Sequence, residues 1–76
     1  MSRLPAFRPA VVVAVLKRAG FVEKRQKGSH LIMWHEQKRR TTIVAIHSRD
    51  IPGPTLKDIL KQADLTVGDF IVLLRK

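Results

Sequence analysis

The sequence predicts a small α+β fold, a three-stranded antiparallel sheet with helices on one face in the order α-β-β-β-α-α. Three observations predict it. The 76 residues suffice for one small core. Three short runs rich in β-branched and aromatic residues, 21–26, 30–36 and 41–47, are divided by brief polar turns, as in a meander. Apolar residues at helical spacing lie on either side of them, framed by proline, glycine and threonine start and stop signals.

The first helix is read over 10–19, with Pro9 in its opening turn and Gly20 just past its end. Val12, Val15, Leu16 and Ala19 share its apolar face, and Phe21 can fold back onto it. Lys17 and Arg18 sit in the last turn, where cations complement the helix dipole, so they read as structural. Lys27-Gly28-Ser29 divides the first two strands and 37–40 the next two. A four-residue turn at 37–40 would set Glu36 opposite Thr41, Ile32 opposite Ala45 and His30 opposite His47. Leu31, Met33, Val44 and Ile46 then face the helices. Ile32, Trp34 and Ile43 form an exposed patch with a positive rim, suited to base stacking or to a protein contact; the alternative is that Trp34 is simply core. His35, on the face away from His30, reads as a surface or rim residue. Beyond a loop at 48–54, helices are expected over 55–63 and 67–74, because Thr55-Leu56-Lys57-Asp58 and Thr66-Val67-Gly68-Asp69 both have the form of a capped N-terminus.

Fifteen Lys and Arg against six Asp and Glu leave a net charge of +9, which favours a polyanionic partner such as nucleic acid. The absence of cysteine excludes a disulfide framework and the usual zinc and iron–sulfur sites. The N-terminus has no signal-peptide pattern and no apolar run approaches spanning length, so a single cytoplasmic domain over 1–76 is expected.

Three histidines are the side chains able to titrate near neutrality, and neither a hydrolase triad nor a metal-ligand or cofactor motif accompanies them. What remains is Lys24-Arg25-Gln26-Lys27-Gly28-Ser29-His30, a basic strand end entering a turn and then an imidazole. That arrangement can hold a phosphodiester beside a general acid or base. RNA suits it, because its 2′-hydroxyl is an internal nucleophile that needs only proton transfer. Read from the residues alone, His30 is either that catalyst or an ordinary turn histidine. Lys38, Arg39 and Arg40 at a hairpin tip are either solvated or positioned to steer and bind RNA.

Gly20-Phe21, the run 25–30, the strand ending Ile43-Val44-Ala45-Ile46-His47, and the stretch 55–63 together resemble the HicA toxins of bacterial and archaeal toxin–antitoxin pairs. The resemblance covers residues 9–74. It implies a fold like that of double-stranded-RNA-binding domains, an mRNA interferase activity, and a HicB-type antitoxin that occludes the toxin. The family's catalytic histidine falls on His30, the preceding Gly-Ser on Gly28 and Ser29, and its second histidine on His47, an auxiliary candidate together with Ser29. The expected enzyme is a metal-independent endoribonuclease without cofactor, its phosphates met by Lys24, Arg25 and Lys27. The rivals are a non-catalytic RNA-binding module and a protein-interaction domain of the same frame. Three departures concern loop geometry: Ala45 where a proline is usual, an additional Pro54, and Asp64 where a glycine is usual.

Overall fold

The computed structural model describes residues 4–46 and 49–76. Its elements are α1 (Pro9–Arg18), β1 (Val22–Lys27), β2 (His30–His35), β3 (Arg40–Ala45), α2 (Gly53–Gln62) and α3 (Val67–Leu74). The three strands form one antiparallel sheet in the order β1-β2-β3, so the predicted α+β class and element order hold. Among the described residues, no helix is long and apolar enough to cross a membrane.

Helices cover a single face of the sheet. Leu31, Met33 and Val44 point into a core shared with Val12, Val15 and Leu16 of α1, Leu56, Ile59 and Leu60 of α2, and Phe70 of α3. Alternation along the strands puts the neighbours of these residues on the other face, which no helix covers. Thr42 is a buried polar residue on the helix side, and its hydroxyl shares its proton between the Ile59 carbonyl at 3.3 Å and Gln62 Oε1 at 3.0 Å.

Both α1 and α2 end in the same device. The Phe21 N–H donates to the Leu16 carbonyl and the Gly20 N–H to that of Lys17; Leu65 and Asp64 repeat the pattern on Leu60 and Lys61. Such a Schellman ending needs a left-handed residue just past the cap. Gly20 supplies it at φ 102, and Asp64, standing where a glycine is usual, adopts φ 59. At Gly20 a Cβ would also lie 2.7 Å from His35 Nε2. Gly20→Ala is therefore expected to cost about 1–3 kcal/mol, read as a lower urea midpoint; an unchanged midpoint would refute the strain.

Three expectations are corrected. The β2–β3 turn comprises 36–39, with Arg39 at φ 53, so His30 pairs with Ala45, Ile32 with Ile43 and Trp34 with Thr41. The register is thus two residues away from the predicted one, and His47 lies outside the described residues. A two-residue shift preserves every inward and outward assignment. His35 is not a rim residue: it is buried, edge-on to Phe21 at 5.1 Å, and its Nδ1 accepts the Lys38 N–H at 3.1 Å, which folds the turn back over it. Finally, α2 begins at Gly53 with Pro52 as its N-cap, so Thr55 caps nothing. Pro54 fits inside the first turn, where its missing N–H removes no helical bond.

Thr66 does form the predicted capping box. Asp69 N donates to its hydroxyl at 3.0 Å, and Thr66 N donates to the Asp69 carboxylate at 2.9 Å. That backbone bond, followed by the Thr66 side chain, holds the Asp69 carboxyl below its ordinary value of 3.8 against an opposing desolvation, with the charge of Lys38 adding least. A lowered carboxylate adds stability above its ordinary value and loses it as pH falls through the lowered one. The protection factor of the Thr66 amide, its exchange rate relative to an unstructured chain at the same pH, is accordingly expected to fall on acidification below about pH 4, and Asp69→Asn to remove that dependence.

Candidate functional site

The candidate site is built on the hairpin between β1 and β2. Its two-residue loop, Gly28-Ser29, carries a positive φ at the first position only, Gly28 at 60°, the requirement of a type II′ turn. No atom lies within 4 Å of where a Gly28 Cβ would sit, so the backbone angle, not space, calls for glycine. Gln26 Nε2 donates to the Gly28 carbonyl at 3.0 Å, and the Ile46 N–H donates to the Ser29 carbonyl at 2.7 Å. The turn is thereby tied on both sides. His30, the next residue, opens β2 exposed on the uncovered face, between Lys27 and the short side chain of Ala45.

A β-bulge decides what surrounds it. Glu23 pairs with Met33 and Arg25 with Ile32, leaving Lys24 as the additional residue. Without the bulge, strict alternation would point Val22 at the helices. With it, Val22 pairs with Trp34 on the uncovered face, while Glu23 lies on the helix side and meets Lys17 at 2.6 Å. Lys24, Arg25 and Lys27 all join the His30 face. The Lys24 ammonium sits 4.9 Å from the centroid of the Trp34 ring, a cation–π contact, and the Trp34 indole N–H donates to Glu36 at 3.1 Å. Ile43, 47 % exposed, and Val22, 56 % exposed, complete the patch. Sequence alternation had found Ile32, Trp34 and Ile43; Val22 escaped it, because two successive polar residues, Lys24 and Arg25, give no sign of which one is the bulge.

Lys38, Arg39 and Arg40 are not brought to this site. They lie at the opposite end of β2, about 17 Å along the strand from His30. Lys38 Nζ donates to the Asp64 carbonyl at 3.4 Å and Arg40 to that of Gln62 at 3.3 Å, so both neutralise the C-terminal end of α2. Arg18 serves α3 likewise, donating to the carbonyl of Leu73 at 2.9 Å and to that of Leu74 at 3.4 Å. Among the described residues, no three His, Asp or Glu side chains cluster in a way that could hold a metal ion.

The arrangement is an accessible imidazole beside a row of cations on an open sheet, a geometry that admits an extended polyanion. No curated protein matches the chain significantly. The sequence model of the HicA toxin of bacterial toxin–antitoxin pairs does match, over residues 11–65, from the first full turn of α1 through the end of α2 and across the whole hairpin. With most of its length inside that match, the chain belongs to the HicA toxin family and is the toxin member of a toxin–antitoxin pair.

Proposed function

We propose that this toxin is an endoribonuclease that blocks translation by cutting mRNA, with His30 moving the proton. The carrying observation is the exposure of His30 on the same face as Lys24, Arg25 and Lys27. The ribose 2′-hydroxyl attacks the adjacent phosphorus and loses its proton, while the P–O5′ bond breaks and the departing oxygen gains one. The products are a 2′,3′-cyclic phosphate and a 5′-hydroxyl end. His30 serves as the general base at the first oxygen or the general acid at the second. Lys27 and Arg25 offset the phosphate charge, and Gly28 and Ser29 position the scissile group against the imidazole. We assign the antitoxin, of HicB type, to covering this face. No step is assigned to His47.

The test is incubation of the purified chain with RNA in a chelator, alongside the same RNA carrying a single 2′-deoxy nucleotide at each mapped cleavage position. The expected result is cleavage of the first, none at the substituted bond of the second, and cyclic phosphate ends. RNA that is bound in a gel shift but never shortened would replace the enzyme with a non-catalytic RNA-binding module.

A further inference from the structure

We infer that the uncovered sheet face is a platform for unpaired bases, with Trp34 as the residue on which a base stacks, so that the substrate class is single-stranded RNA. The inference rests on the ribonuclease reading and specifies its substrate. The face is divided lengthwise. Its β1 side presents Lys24, Arg25 and Lys27, whereas β2 and β3 present His30, Ile32 and Trp34 beside Thr41, Ile43 and Ala45, with no charge among the β3 set. A cationic lane beside an apolar one matches a chain whose phosphates lie to one side and whose bases are splayed to the other. A duplex keeps its bases stacked inside and offers phosphates along both rims of its grooves, which this division does not match.

Trp34 is suited to the role. It is the chain's single tryptophan, and its ring orientation is set by the indole N–H bond to Glu36. The Lys24 ammonium lies over the ring, 4.9 Å from its centroid, so a stacking base displaces it from that face and the flexible side chain then meets the phosphate of the same nucleotide. Ile32 lies between Trp34 and His30 on one strand face, and the two ends of that row are about 13 Å apart. A strand seated on Trp34 can therefore run along β2 to the imidazole. The exposed Val22 and Ile43 side chains widen the platform on either side.

The test uses the His30→Ala chain, which binds without cutting, and reads its one tryptophan during titration with a short unstructured RNA of mixed sequence. Saturable quenching is expected, and anisotropy of the same RNA carrying a fluorescent label should show affinity about tenfold lower in Trp34→Ala and largely restored in Trp34→Phe. A pre-formed duplex of the same sequence is expected to bind at least about tenfold more weakly. In the cleaving chain, Trp34→Ala should raise KM and leave kcat near its original value. RNA binding by anisotropy with unchanged tryptophan emission overturns the inference, as does equal affinity for the duplex. An emission shift that follows protein concentration without RNA also overturns it, making the face a contact between copies of the chain. Quenching by RNA that is never cut would sink the nuclease and keep the platform.

Discussion

His30→Ala is expected to slow RNA cleavage by about 10²–10⁴-fold, the range that a positioned acid or base contributes. Folding should not change with it. The side chain is exposed, and among the described residues no hydrogen bond or ring contact ties it to the rest of the molecule. The comparison is a single-turnover rate on one RNA, paired with urea curves for both chains. A rate within threefold of the original would remove His30 from the mechanism. A coincident loss of stability would instead show that the imidazole holds the hairpin. Because Lys27, Arg25 and Trp34 remain, RNA affinity should survive the substitution, which separates binding from chemistry.

Phe70→Ala is expected to act in the opposite sense, costing about 3–5 kcal/mol of stability with no direct effect on the site. Phe70 is fully buried and meets Phe7 edge-on, centroids 5.1 Å apart. Phe7 is itself fastened by a pair of backbone bonds to Ile51, so one aromatic contact joins the N-terminal segment, the chain ahead of α2 and the last helix. A core in a domain of this size rarely supplies more than about 3–5 kcal/mol in total, so the variant should be largely unfolded at 37 °C. Urea titration at low temperature measures the loss. A decrease below about 1 kcal/mol would mean that α3 does not seal the core. The effect would arise in a helix beyond the residues matched to the family, which end at 65, showing that this chain leans on a part of itself outside that common frame.

The same contrast separates the residues that were legible in the sequence from those that were not. The placing of Gly28 and Ser29 in a tight turn and of His30 at a strand mouth was legible, because a turn demanding a left-handed glycine and the start of an apolar alternation are both local signals. Lys17 and Arg18 were read as structural on their position in the last helical turn, and each has such a partner. The carbonyl partners of Lys38 and Arg40 were not legible, because they stand 26 and 22 residues further along the chain. His35 resembled a rim residue for a related reason. Its burial depends on Phe21 at its edge and on a turn that folds onto its Nδ1, and neither is visible in the alternation of β2. Asp64 retains the left-handed ending of α2 without the glycine usual there, at the cost of a strained backbone.

By itself, the amino-acid order determined the element sequence and which face of each strand is apolar. Those properties depend on spacings of two to four residues and on the backbone limits of proline and glycine, all of which act locally. The tertiary structure alone decided the bulge at Lys24, the two-residue register of β3 and the burial of His35. Each is chosen by the summed hydrogen bonds and packing of segments distant in the chain, and several pairings there satisfy the same local pattern. The composition of the His30 face, three cations on one strand and an apolar strip on the next, comes from that choice.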